Sequence, residues 1–345
     1  MGFDKFYSYN CNTLALNYKD YSSTTSGTLA GAGKRNEKSS YFNRNYNGVN
    51  KLIIMGEIIN KQGFSLVTYD GIDWHILIND NNTLSAKNFM LDHNITKIQL
   101  NYTAGFTKEK IDFLEHYSFV DEITIIPGGD IDISGIHFLD NLRKMRITKR
   151  VIQGIHFNLF PHLQRCSVEW NTKNRNLESC ISLEDLTLYA YKAHDLSMLS
   201  GLINLKRVKI GSSPIKVIDG IESLKLKSLS LNYNRKLSSL KGIENLSSTL
   251  SELNLLTCKA ISSIEEVALL SNLEELGVNN CGEIDSIKAL TKLKKLKQFT
   301  FWESTNIIDG DVSPCIGIKQ VAFQNRRNYN YTNEEIDKIN LINGL

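Results

Sequence analysis

The chain has 345 residues, 41% of them hydrophobic and 22% charged, with a formal net charge of +3. That hydrophobic share supports a buried core, and only 4 prolines exclude long polyproline linkers. So mild a charge excludes assigning a nucleic-acid or membrane role on net charge alone. The 6 cysteines (Cys11, Cys166, Cys180, Cys258, Cys281 and Cys315) contain no CxxC pair, so zinc-site spacing is missing and reduced thiols are expected. His162 and Cys166 stand four apart with no second pair to complete a tetrahedral set.

In chain order, MGFDKFYSYN leads into polar sequence without the apolar core of a signal peptide. Phe6 stands where a myristoylation motif has Ser or Thr. Residues 1–48 are rich in Ser, Thr, Asn, Gly and Tyr and read as a flexible polar segment. Within it, GTLAGAGKR at 27–35 approaches a phosphate-binding loop. Thr28 replaces the first Gly, Arg35 replaces the Ser/Thr, and no strand precedes it, so a linker is the better reading. The apolar run KLIIMGEII at 51–59 is far too short to span a bilayer, which takes about 20 residues of helix. Residues 49–94 are expected to form a β-rich cap from the runs LIIMGEI, FSLVTYD and IDWHILIN, with Asp70-Gly71 as a hairpin signal. A cap is needed because an open edge strand invites pairing with other chains. The expected location is the cytoplasm, with delivery as an effector left open.

From residue 95 the chain repeats itself. ITKIQLN at 95, VDEITII at 120, LRKMRIT at 142, LQRCSVE at 163, LEDLTLY at 183 and LKRVKIG at 205 share apolar first, fourth and sixth positions. LKSLSLN at 226, LSELNLL at 250, LEELGVN at 273, LKQFTFW at 296 and IKQVAFQ at 318 continue the series. The alternation within each copy is that of a strand with one buried face. One short strand cannot bury that face alone, so copies must stack. Between strands a second apolar series runs in steps of three, as in Ile284, Ile287, Leu290 and Leu293, which suits a 3-10 or short helical return. The domain reading is therefore about eleven repeats over 95–325. Thr332 and Glu335 then form a capping box for a C-terminal capping helix within 326–345.

L-x-x-L-x-L with Asn or Cys at the ninth position resembles the leucine-rich-repeat family. Asn171, Asn234, Cys258 and Cys281 occupy that position, while the first copies carry Thr103, Gly128 and Arg150 there. A period of about 22 residues with I-x-x-I-x-x-L returns is similar to the bacterial internalin and SDS22-like subclass, without a signal peptide or wall anchor. The resemblance is strongest over 183–300. It implies an α/β solenoid: a leucine-rich-repeat horseshoe with parallel strands on the concave face and 3-10 or short helical returns on the convex face. It also implies that the ninth residue satisfies backbone groups in the turn.

The 7 histidines show no HExxH or Ser-His-Asp context. His137 and His156 recur in GIHFLDNL and GIHFNLFPHL, which favours a structural role, since a catalytic residue is needed once. Glu252 and Glu275 align on neighbouring copies; stacked carboxylates on a repeat surface are solvated more often than they act as an acid–base pair. No cofactor, no metal and no enzyme activity are expected.

Positions three, five and seven of each copy point onto the exposed strand face. Arg165, Glu169, Trp170, Tyr189, Tyr191, Arg207, Lys209, Glu252, Glu275 and Trp302 are the candidate protein-binding residues, because exposed Trp, Tyr and Arg dominate interface energetics. The expected function is a non-catalytic scaffold for a protein partner, acting as a monomer in a bacterium as an immunity or regulatory binder or a delivered effector. The alternative is a nucleic-acid binder using Arg143, Lys144, Arg146, Lys149 and Arg150 together with Arg165, Arg207 and Lys209. No membrane partner is expected.

Overall fold

The structure is a computed structural model that describes residues 56–149 and 151–345. The polar segment 1–48, residues 49–55 of the expected cap, Cys11 and Arg150 lie outside the described residues. The described residues fall into two compact units, the first ending at Trp74 and the second spanning His75–Leu345.

In the first unit, strands β1 (Glu57–Lys61) and β2 (Phe64–Thr68) pair antiparallel around Gln62-Gly63. Both turn residues have positive φ, 51° at Gln62 and 84° at Gly63. That geometry matches the right-handed twist of a tight hairpin. This turn went unread in the sequence because its first residue is Gln rather than Asn or Asp. Asp70-Gly71, the expected signal, is a turn built by a side chain, as Asp readily forms. The Asp70 carboxylate accepts from the backbone N–H of Ile72 (2.9 Å) and Asp73 (2.8 Å). Those bonds hold its pKa down to about 2.

The second unit is a parallel stack. It opens at His75 within β3 (Trp74–Ile78), passes through helix α1 (Ser85–Asp92) and continues in β4 (Lys97–Asn101), β5 (Glu122–Ile126), β6 (Lys144–Ile147) and β7 (Arg165–Glu169). β8 (Asp185–Tyr189), β9 (Arg207–Gly211), β10 (Ser228–Asn232), β11 (Glu252–Leu256) and β12 (Glu275–Asn279) follow. Next come β13 (Glu283–Ile284), β14 (Gln298–Phe301), β15 (Asn306–Ile307), β16 (Gln320–Phe323) and helix α2 (Asn333–Ile342). From β3 onward each strand pairs parallel with the next, except that β13 and β15 pair separately beside the main sheet. The parallel pairing already begins at β3, ahead of the repeats read from residue 95, and the stretch expected to form a β-rich cap also contains α1, which buries Ala86, Phe89 and Met90.

Register is uniform: Leu186 pairs with Val208, Val208 with Leu229, Leu229 with Leu253, Leu253 with Leu276 and Leu276 with Phe299. All are buried, so the fourth position of these copies forms one continuous apolar row. The returns are 3-10 turns, for example Ser134–Phe138, Ser197–Leu199 and Lys288–Lys292. Asp132, Asp195, Ser263, Ser286 and Asp311 each accept a bond from the backbone N–H two residues on, which starts the return. At the C-terminal end Thr332 and Glu335 close a reciprocal capping box on α2, which buries Ile336 and Asn340.

Leaving β8, β9, β10, β11, β12 and β14, the chain turns through one left-handed residue. Ala190, Ser212, Tyr233, Thr257, Asn280 and Glu303 have φ between 53° and 59°, and all stand at the eighth position of successive copies. The turn swings the ninth residue inward to bond the coil before it. Asn234 donates to Ile210 O (2.9 Å) and accepts from Ser213 N–H (3.0 Å), while the Cys258 thiol reaches Leu231 O (3.1 Å). Asn171 donates to Ile152 O and Gln153 O, both at 3.2 Å. In the coil after Cys281 the role passes to Thr305, which donates to Val278 O (2.8 Å) and accepts from Cys281 N–H (3.0 Å). These bonds satisfy buried backbone groups that the sheet ladder leaves over.

Candidate functional site

The outward side chains of β4–β16 form a polar face whose charges are cross-linked from strand to strand. Glu122 on β5 lies 3.0 Å from His75 Nε2, 2.9 Å from Lys144 Nζ and 4.0 Å from Lys97 Nζ. Burial pushes its pKa up, but the hydrogen bonds from His75 and Lys144 outweigh that and hold it down at about 2. Glu122 is thus ionised, and Lys144 is committed to it.

The centre of the face is built around Asp185 on β8. Its Oδ2 accepts from Arg207 Nη2 on β9 (2.6 Å) and forms an ion pair with Arg165 Nε on β7 (3.0 Å). One carboxylate oxygen therefore gathers two guanidinium groups that are themselves about half exposed. Beside them the Tyr189 ring lies across Gly211, where a Cβ would stand 2.6 Å from the ring, so only glycine fits beneath it. Lys209 Nζ sits 5.9 Å from the ring centroid. That separation is within reach of a cation–π attraction. Burial raises the Tyr189 phenol pKa and the Arg146 charge lowers it in part. Glu169 is in register with Tyr189. Exposed tyrosine and arginine side chains are the residue types enriched at the energetic centres of protein contacts.

Among the other candidates, Glu252 and Glu275 are directly in register on β11 and β12 and bring two acids together. Trp302 is 44% exposed. Tyr191 requires a correction: it is buried, because it occupies the inward ninth position of its copy. Trp170 meets it edge-on at 5.6 Å and is itself half-buried, so the pair packs the turn and only the Trp170 rim reaches the surface.

The basic cluster is dispersed. Arg143 stands at the approach to β6, Lys144 is paired with Glu122, Arg146 is exposed on the strand face, and Lys149 donates to Gly128 O beyond the strand (3.3 Å). The structure does not bring these four to one surface. Of the residues that form the site, Asp185 and Gly211 were missed by sequence reasoning. The available signal was an acid at the third position flanked by arginines at the same position of both neighbouring copies.

His137 and His156 are neighbours on adjacent coils, their ring centroids 5.4 Å apart. His137 Nε2 accepts the His156 backbone N–H (3.1 Å), and burial, followed by the charge of His156, lowers the His137 pKa. Its ring is a structural acceptor. Cys258 and Cys281 are buried, and burial pushes their pKa values up to about 12 and about 11. Among the described residues no group of three His, Cys, Asp or Glu is arranged to hold a metal ion. No helix of the described residues is long and apolar enough to cross a membrane.

Parallel strands in constant register, 3-10 returns and an inward Asn/Cys/Thr ladder define a leucine-rich-repeat solenoid, a class whose chemistry is carried by its surface. No protein-family model matches the chain, and no curated protein matches it. Solved structures similar to it include an internalin, InlF, of Listeria monocytogenes (17% identity, 70% of each chain covered, TM-score 0.45). Internalin C2 of the same organism is 23% identical over 49% of this chain and 75% of its own, with a TM-score of 0.40. A leucine-rich-repeat protein of Leptospira interrogans is 14% identical over 71% of this chain and 82% of its own, with a TM-score of 0.37.

Proposed function

We propose that this chain is a non-catalytic scaffold that binds a protein partner through its strand face, with the contact centred on β7–β9. The observation that carries this reading is the Arg165–Asp185–Arg207 bracket beside the Tyr189 ring on Gly211. Its side chains are ordered by neighbours within the sheet, so a partner meets them with little rotamer entropy left to lose. Charges of both signs on one face favour a protein over a phosphate backbone, which would select uniform positive charge. The pairing of Lys144 with Glu122 further weakens the nucleic-acid reading. In this account the protein is a cytoplasmic bacterial binder, an immunity or regulatory protein or a delivered effector.

The test is capture of a partner from the native organism's lysate, followed by affinity measurements with single variants. Tyr189→Ala and Arg207→Ala should each weaken binding by roughly 2 kcal/mol or more, while Lys241→Ala, on a return, should not. Equal small effects at all three positions would remove the strand face from the interaction.

A further inference from the structure

A second surface lies along the edge where the returns lead into the strands. Backbone bonds chain the second positions of successive copies: Lys227 N–H to Lys206 O (2.7 Å), Ser251 to Lys227 (2.9 Å), Glu274 to Ser251 (2.8 Å) and Lys297 to Glu274 (2.8 Å). Residues 203–206, 224–227, 248–251, 271–274, 294–297 and 316–319 are therefore stacked side by side. This edge carries Lys206, Lys225, Lys227, Lys294, Lys295, Lys297 and Lys319, with Glu274 as its one acid. Glu184 and Glu274 neutralise Lys206 (2.8 Å) and Lys297 (2.6 Å). The remaining lysines leave a strong positive excess in a row of six copies, about 24 Å long at ~4.8 Å per strand.

Two shallow grooves open on this edge. Lys206, Lys225 and Lys227 line one together with Ile203, which is 61% exposed; Lys294, Lys295, Lys297 and Lys319 line the other with Leu345, which is 46% exposed. Each groove thus pairs ammonium groups with a projecting aliphatic side chain. At the end of α2, Leu341 and Ile342 are also exposed.

We infer that this edge docks on the surface of an anionic phospholipid bilayer. Every cation in the row is lysine, a compact point charge without the planar fork that reads phosphates bidentately. Neither groove contains an aromatic side chain on which a base could stack, which disfavours nucleic acid. Lysine clusters are attracted to anionic headgroups, and exposed aliphatic groups add burial at the acyl boundary. The expectation of no membrane partner rested on the lack of a spanning or lipidated segment, and surface docking needs neither. The lysine edge is distinct from the Tyr189 face, so it stands or falls independently of the protein-binding reading.

The experiment is co-sedimentation of the full chain with vesicles of phosphatidylcholine alone or mixed with phosphatidylserine, with duplex DNA as competitor. Sedimentation only with phosphatidylserine, falling as salt rises, is expected. Lys294→Glu with Lys295→Glu, and separately Lys225→Glu with Lys227→Glu, should each lower partitioning more than tenfold, at about fivefold per lysine charge. The melting temperature reports whether each double variant is folded, and Lys241→Glu, off the edge, should bind as the parent does. Absence of binding, equal binding to neutral vesicles, indifference to both double variants, or displacement by DNA would overturn the inference.

Discussion

At the scale of single residues, the left-handed row is the feature that sequence inspection does not disclose. Ala190, Ser212, Tyr233, Thr257, Asn280 and Glu303 share a conformation but no chemistry, and only Asn is a residue expected there. The neighbouring ladder and strand bonds impose it, at a cost of about 1–2 kcal/mol per non-glycine residue. Ser212 is exposed. Ser212→Gly should therefore relieve that strain and, after the extra entropy of an unfolded glycine, raise stability by about 0.5–1 kcal/mol in a denaturant titration. Ser212→Val should lower it. A destabilising glycine would show that the turn is not strained. Glu122 supplies a second residue-scale prediction. Its folded pKa of about 2 lies below the usual carboxylate value of 4.5. Its contribution is thus present above that usual value and is lost as pH falls toward the folded pKa. Glu122→Gln should remove stability on the order of 2–3 kcal/mol at neutral pH and flatten the acid limb of the stability profile. An unchanged acid limb would contradict the Glu122 cluster.

At the scale of the coil, most of the architecture was legible because it depends on periodicity. The apolar fourth and sixth positions, the steps of three in Ile284, Ile287, Leu290 and Leu293, and the Thr332–Glu335 box all correspond to observed elements. What escaped was non-periodic: α1 has no side-chain cap to announce it, and the Gln62-Gly63 hairpin hides behind a glutamine. The ladder also shifts by one residue, to Thr305 rather than Ser304, in the coil that carries β15. Leu229, fully buried between Val208 and Leu253, tests the assigned register. Leu229→Ala should cost about 2–5 kcal/mol in thermal or denaturant unfolding. Asn234→Ala should cost a penalty of the same order, since it strands both Ile210 O and Ser213 N–H in the core. An unchanged melting temperature in either variant would refute the coil assignment. Cys258 and Cys281 should resist alkylation in the native protein and react only on unfolding, because burial keeps both as thiols. Rapid native-state labelling would contradict that.

At the scale of the whole molecule, the proposed function rests on surfaces rather than on a pocket. The strand face concentrates its ordered groups at β7–β9, and the lysine edge runs along the approaches to β9–β16. The candidate site was only half legible in the sequence: Arg165, Tyr189 and Arg207 follow from the repeat register, whereas the burial of Tyr191 and the anchoring by Asp185 depend on how neighbouring coils fit. The most direct test of the protein-binding face is a photo-crosslinking scan in native lysate. The crosslinker would be placed at Ser167, Thr187 and Lys209, which pair in register across β7–β9, and at Lys241 and Ala268 on the returns. One common protein crosslinked from all three strand-face positions and from neither return is the predicted result; crosslinks from the returns alone, or nucleic acid captured at the face, would contradict it.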